Sequence, residues 1–335
     1  MALHQASGNW RLGLGLALLT AACWATLPVA LKIALEQVDP FTLTWFRFLV
    51  AAGLLLAWLA ARGGFAEFVG LTRRQWLRLA LAALLLIGNY VFYLLGVART
   101  TPANAQLLIQ LAPLLMALGG IFVFREPYRP AQWVGMGIIV LGLWLFFRDQ
   151  WFATALPPDM DATVSTEHSA ATTGSHLTSR SRYLLGSGFV GIAALVWAAY
   201  ALIQKQLLLR LSSPAILLFI YLAAVLLLLP FSQPAQLRGL DARHWALLAY
   251  CALNTVVAYG AFAEALAHWQ ASRVSAILAT TPLLCLASVT GVHALWPTAI
   301  AAETVSPLGY AGAVLVVAGS AMSSLLGQRR REEPP

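Results

Sequence analysis

WATLPVALK (24–32) and WAAYALIQK (197–205) are one phrase written twice, and they hold the only two lysines of the 335 residues. In each copy a Trp precedes the Lys by eight positions inside a long apolar run, with the Lys towards the run's C-terminal end. Similar phrases 173 residues apart predict a duplicated unit. The apolar flanks place that unit in a membrane, where internal duplication is typical of carriers.

Working outward, 60% of the residues are hydrophobic and 10% charged, with mean hydropathy +0.76. A soluble domain carries about a quarter charged residues, so the bilayer is the solvent this composition requires. The formal charge of +8 sits between apolar runs and forms no stripe interleaved with aromatics, which argues for membrane topology and against nucleic acid as a partner. Cys23, Cys251 and Cys285 lie singly inside apolar runs, without CxxC or metal spacing, and are expected as small buried hydrophobes. Leu19 to Cys23 resembles a lipoprotein cleavage site, but the run continues to Leu31, so the segment is kept as a transmembrane helix.

A span needs about 20 apolar residues. Ten windows qualify: 12–31, 41–61, 76–98, 103–124, 131–147, 183–204, 214–231, 244–267, 272–296 and 306–326. With the N-terminus in the cytoplasm, thirteen basic residues fall on the cytoplasmic side and seven on the other, so both termini are expected inside. Residues 148–182 are rich in Ser, Thr, Ala and His and contain Pro157-Pro158. They read as a disordered external tether whose His168 and His176 are solvated loop residues. The tail 329–335 is basic and cytoplasmic in this reading.

The repeat is carried by more than the lysines. An offset of 169 takes Trp76 to Trp245, Tyr90 to Tyr259 and Pro113 to Pro282; an offset of 177 takes Glu126 to Glu303, Gly135 to Gly312 and Gly142 to Gly319. Five spans per copy is an odd number, so the copies enter the membrane in opposite senses. The expected fold is therefore an all-α integral membrane protein, ten transmembrane helices arranged as two inverted five-helix repeats. Residues 1–147 and 183–328 are the repeats, a plan suited to alternating access.

The chain resembles the drug/metabolite transporter superfamily, specifically its EamA-type ten-helix members. The resemblance is carried by WATLPVALKIALEQVDPFTLTWFRFLVAA (24–52), NYVFYLLGVARTTPANAQLLIQLAPLLMAL (89–118), Glu126 with QWVGMGIIVLG (132–142), AYGAFAEALAHWQASRVSAILATTPLLCLAS (258–288) and GAVLVVAG (312–319). It implies a bundle in which helices one to four and six to nine surround a central substrate cavity, with the fifth and tenth peripheral. Members of the superfamily carry amino acids, metabolites, nucleotide sugars or drugs. Two departures stand out: Tyr221 occupies the position matching Arg47, and the region 293–303 is longer than the pattern expects.

An ionisable group in a bilayer costs about 2.5–3.5 kcal/mol on insertion scales and needs an explanation. Arg47, two turns into the second helix, reads as a bidentate partner for an anionic substrate group or a gate salt bridge; the competing reading is snorkelling to the external interface, or pairing with Asp39 or Glu36. Lys32 and Lys205 are interface markers that could also latch two gates. Gln106, Gln110 and Pro113 share one face of the fourth helix, Asn89, Tyr93 and Gly96 one face of the third, and Trp24, Pro28 and Lys32 one face of the first. With Tyr259, the polar and aromatic members of these faces are the expected substrate lining; interhelical hydrogen bonding is the competing account. Glu264 and His268, at i and i+4, are a candidate proton-coupling pair or a local interfacial hydrogen bond. Pro28, Pro113 and Pro282 permit kinks, and the paired glycines form seams for close packing.

The function these features imply is secondary transport of a small metabolite, an amino acid or related compound, with export as the expected direction. Export of lipophilic drugs or cations is the alternative within the class. A membrane enzyme would need a catalytic motif, and Walker A, GxSxG and HExxH are all absent from the sequence. A non-transporting receptor leaves the inverted duplication unexplained. No cofactor or metal is expected, proton coupling is compatible with the reading, and a homodimer is left open. Nineteen arginines against two lysines suggest a GC-rich genome and a bacterial inner membrane.

Overall fold

The computed structural model describes residues 9–124, 129–153, 169–269, 271–303 and 305–325, and among these the chain is helical, without strands. Its helices are α1 (Trp10–Ala34), α2 (Pro40–Ala61), α3 (Arg73–Arg99), α4 (Pro102–Leu108), α5 (Leu111–Phe124) and α6 (Pro130–Ala153). The second set is α7 (Ser169–Leu207), α8 (Ser213–Leu228), α9 (Ala242–His268), α10 (Ala271–Leu278), α11 (Thr281–Leu295) and α12 (Pro307–Leu325). Among the described residues ten segments are long and apolar enough to cross a membrane; α4 with α5, and α10 with α11, each make one broken span.

Helix starts follow local chemistry. Asp39 caps α2, accepting from Phe41 N at 2.9 Å and Thr42 N at 3.2 Å, with Pro40 at the first helical position. Thr72 opens α3 with a capping box to Gln75, and Asp241, its repeat mate, caps α9 through His244 N at 2.8 Å. The two breaks also have a local cause. A proline lacks the N–H for the i−4 carbonyl and its ring crowds that carbonyl. Pro113 and Pro282 therefore interrupt their spans at Ile109-Gln110 and Ala279-Thr280, one residue from strict equivalence.

Among the helix pairs that join the repeats, α6–α12, α3–α7, α1–α9 and α2–α8 are the most extensive, and all four run antiparallel. Gly135 lies against Gly319 and Gly142 against Gly312, so ascending numbers in α6 meet descending numbers in α12. A Cβ on Gly142 would come within 2.6 Å of the Gly312 carbonyl oxygen, and the reverse distance is also 2.6 Å. Asn89 Nδ2 of α3 donates to the Ala193 carbonyl of α7 at 2.9 Å, and the equivalent pair, Thr20 and Ala258, joins α1 to α9 at 3.5 Å. Phe48 of α2 packs on Tyr221 of α8, and Phe41 on Phe231 just beyond that helix. The connections obey the same pseudo-twofold: Ser212 donates to Glu67 from its backbone N–H and hydroxyl, while Asp39 N donates to Gln236 Oε1 and Gln233 N to Thr42 Oγ1. This is the inverted repeat expressed as contacts.

The symmetry is broken at the ends. Near Lys32, α1 packs on α3 and α4, and α4 packs on α11; among the described residues no comparable packing joins α7 to α9 or α10, or α5 to α10. The bundle is drawn together at the Lys32 end. Its outer surface is apolar, with side chains such as Leu226 (72% exposed) turned outward as hydrocarbon requires.

Helix covers the described residues on both flanks of the expected tether. α6 continues to Ala153 and α7 begins at Ser169, so helix intrudes on 148–182 from both sides. Helix-compatible Ala, Ser and Thr in that stretch let the adjoining spans extend. His168, Glu126 and the tail 329–335 lie outside the described residues.

Candidate functional site

Arg47 is the centre of the site. It is 2% exposed on α2, and the described residues offer its guanidinium no carboxylate. Asp39 is committed to its helix cap and Glu36 is exposed, so the snorkelling pair expected as the alternative does not form. Instead Nε donates to the Cys251 carbonyl at 3.3 Å and to Thr255 Oγ1 at 3.2 Å, and Nη2 donates to the same hydroxyl at 3.1 Å. The guanidinium carbon stands 5.0 Å from the Tyr90 ring centre. Nη1 makes no hydrogen bond with described residues. Long bonds to neutral acceptors and one cation–π contact of about 0.5–2 kcal/mol leave the charge undercompensated.

Around it lies an aromatic cluster. Tyr90 packs on Phe48 at 4.6 Å between ring centres, and Phe48 on Tyr221 at 5.3 Å. Tyr90 and Tyr259, equivalent residues of the two repeats, bring their hydroxyls within mutual reach, with Tyr200 and Tyr221 as further neighbours. Trp24 meets Tyr259 edge to face at 5.7 Å. Tyr93, which senses the Arg47 charge, donates to Gln106 Oε1 at 3.3 Å. Trp24, Tyr259 and Arg47 thus join through Tyr90, and the Tyr93–Gln106 pair lies within reach of the Arg47 charge. Gln110 sits at the α4–α5 break, half-buried. Asn89 is turned the other way, holding the α7 backbone, because an amide buried between helices must find a partner there.

The remaining sites are peripheral. Lys32 donates to the carbonyls of Val97 (2.9 Å), Ala98 (3.2 Å) and Thr100 (2.6 Å), the open C-terminus of α3. Lys205 is exposed at the other end of the bundle. Glu264 is exposed, and His268 Nε2 lies 3.1 Å from its Oε1. A cavity of about 540 Å³ opens between α1, α9 and α11, with Val29, Leu247 and Val292 in its wall and Arg243 and Trp296 in its lining. It is mainly apolar, and none of the seven expected substrate residues lines it. In this conformation Tyr90, Tyr200 and Tyr221 pack in one core cluster where the polar chamber was expected.

The sequence reading missed Tyr90, Tyr200, Thr255 and Asn104 as site residues, and Glu303 as a buried acid. Asn104 Nδ2 donates to Ser187 Oγ at 3.1 Å, leaving its buried Oδ1 unpartnered. Glu303 Oε1 accepts from Ala103 N at 3.2 Å, at the start of α4, while its buried Oε2 has no partner. Burial pushes its pKa above the ordinary carboxylate value, against the opposing pull of the Thr101 hydroxyl, the Ala103 N–H and Lys32. Its place in an 11-residue connection between spans hid it; the repeat mate Glu126 was the signal available.

Ten membrane-spanning segments in two inverted halves, enclosing one undercompensated arginine, define a membrane transporter of the inverted-repeat class. The sequence profile of the EamA-like transporter family matches residues 11–148 and 184–325, and the chain belongs to that family. It is 37% identical over 321 residues to a protein of Escherichia coli K12 described as "uncharacterized inner membrane transporter YhbE", covering 95% of this chain and 92% of that one. A "probable amino-acid metabolite efflux pump" of Salmonella typhimurium is 25% identical over 317 residues, covering 91% and 92%. A crystal structure of an 18% identical chain superposes with TM-score 0.60 over 97% of this chain and 99% of that one, a likeness of fold.

Proposed function

We propose that this protein is a secondary transporter of the bacterial inner membrane that exports a small zwitterionic metabolite, an amino acid or a close relative. Arg47 carries this reading. A guanidinium buried among tyrosines with Nη1 unused, and one Nη2 proton to spare, is half of a carboxylate site. Transient occupancy by an anionic group would supply the missing compensation. The name of the Salmonella relative and the tyrosine platform, suited to a partly apolar body, support the same class of cargo. A lipophilic cation would meet a like charge at the centre, which disfavours the drug-export alternative. Nothing in the network sets a nucleophile against a base, so we read the cargo as unchanged by passage.

In this proposal residues 1–147 and 183–328 are the two moving repeats, and both termini face the cytoplasm. Trp24, Arg47, Tyr93, Gln106, Gln110 and Tyr259 contact the substrate, with Tyr90 added and Asn89 assigned to helix packing. Lys32 and Lys205 mark opposite gates. The structure's closer packing at the Lys32 end supports its assignment to one of the two alternating states. Purified protein in proteoliposomes, loaded with unlabelled amino acids, should accumulate labelled cargo by counterflow. A screen including aromatic and aliphatic amino acids and lipophilic cations tests the class: uptake of cations alone, or of nothing, removes it.

A further inference from the structure

We infer that Glu303 is a proton-binding site that is occupied when the Lys32 end of the transporter is closed and emptied when that end opens. This rests on the transporter reading and adds to it the ion that sets the gate.

The geometry leads there by elimination of partners. Glu303 lies in the connection between α11 and α12, folded back onto the first turn of α4. The nearest cation is Lys32, but its ammonium donates to three α3 carbonyls, so its three protons are spoken for. The carboxyl is therefore buried without an ion pair, and one of its oxygens has no donor. Tyr183 of α7 feels the Glu303 charge, yet its buried hydroxyl does not hydrogen-bond the carboxyl, so no donor is supplied from that side. A proton on Oε2 removes the uncompensated charge from an oxygen that burial has stripped of water.

The other charges facing the site are accounted for. α1 brings Lys32, itself influenced by Arg182 and Glu36; α7 brings Arg182 and Tyr183; α11 brings Cys285. His293 of α11 bonds through Nδ1 to the Ile300 carbonyl of the same connection at 2.8 Å. α4 contributes the Thr101 hydroxyl and the Ala103 N–H. Only Lys32 and the α4 terminus favour the ionised form, and burial opposes them with the larger effect. Opening would hydrate the carboxyl and restore its ordinary acidity. By linkage, the closed state binds the proton more tightly, so acid favours closure and rising pH favours opening.

The test is amide hydrogen exchange on the full chain in lipid nanodiscs, read at Ala103 and Asn104 and corrected for the pH dependence of intrinsic exchange. Between about pH 5 and about pH 9, protection in the wild type should fall about fivefold as Glu303 ionises. Glu303→Gln, neutral at every pH, should hold the protected level throughout. Should Glu303→Gln fail to fold, Glu303→Asp replaces it and should shift the midpoint of the transition. Wild-type protection that is flat or rises with pH, a Gln variant that follows the wild type, or an Asp variant with an unmoved midpoint each overturns the proposal. The exchange measurement needs no substrate, so a failed counterflow screen would count against the cargo and transport reading alone.

Discussion

The guanidinium carbon of Arg47 stands 5.0 Å from the ring centre of Tyr90, while Nε and Nη2 share the Thr255 hydroxyl. That arrangement holds the charge in place without neutralising it. Arg47→Met should therefore reduce counterflow by more than about tenfold while leaving the thermal unfolding midpoint equal or higher, since removing an uncompensated buried ion is often neutral or stabilising. Arg47→Lys keeps the charge but loses the planar fork, and should recover only a minor part of the rate. Loss of transport accompanied by an equal loss of folding would make the residue a structural bolt.

Lys32 makes a prediction of the opposite kind. Its three bonds close the α3 C-terminus, where terminal carbonyls otherwise lack partners. Lys32→Met should lower stability by about 1–3 kcal/mol in denaturant unfolding. It should also raise the reactivity of a cysteine placed at Ala98 towards a water-soluble maleimide, as the Lys32 end loosens. Unchanged stability and reactivity would return Lys32 to the role of an interface marker.

How much of this was legible beforehand follows the reach of each interaction. Repeat phrases, proline positions and the Asp39-Pro40 and Thr72–Gln75 caps are local, so spans, inversion and most helix starts could be read from the chain. The i, i+4 faces named Tyr93 and Gln106, and the structure joins the two by a hydrogen bond of 3.3 Å. Asn89 shares the Tyr93 face by sequence, yet its amide is taken by the Ala193 carbonyl on another helix. Periodicity cannot distinguish a lining from a seam. Glu303 was hidden for the same reason: only tertiary folding lays its connection over α4 and leaves Oε2 without a donor.

The two acids with shifted pKa outside the spans should act on stability with opposite signs. Asp241 is held below its ordinary value by the His244 backbone N–H and then by the His244 side chain, so its contribution is present at neutral pH and disappears as pH falls. Glu303 is raised by burial, so its contribution is present in acid and disappears as pH rises through its folded value. Thermal unfolding followed against pH should lose, in Asp241→Asn, the slope below the ordinary carboxylate pKa and, in Glu303→Gln, the opposite slope above it. Parallel profiles for both variants would contradict these assignments.

The proline breaks can be separated from static bends. In the wild type Ala112 N bonds to the Ile109 carbonyl at 2.9 Å, a tight turn that stands in for the missing proline donor. Pro113→Ala restores an N–H for the same carbonyl and relieves the ring clash, favouring a continuous fourth span. Counterflow should slow by about fivefold with stability equal or greater, because a hinge is lost and helix is gained. Pro282→Ala should do the same at the equivalent place in the other repeat. Unaltered rates in both variants would show that the breaks only shape the packing.

The α6–α12 seam offers the cleanest division between scaffold and site. At Gly142 an added Cβ would meet the Gly312 carbonyl oxygen at 2.6 Å and the Val316 nitrogen at 2.8 Å, both backbone atoms that cannot swing aside. Gly142→Val should therefore destabilise the protein by about 1–3 kcal/mol or more, as overpacked interfaces do. Gly137 supplies the control on the same helix: a Cβ there meets nothing within 4 Å, so Gly137→Val should leave the unfolding midpoint nearly unchanged. No residue of the Arg47 network belongs to either helix, so the counterflow rate per folded Gly142→Val molecule should stay close to wild type. A large drop in that rate at full folding would instead make the seam part of the moving machinery.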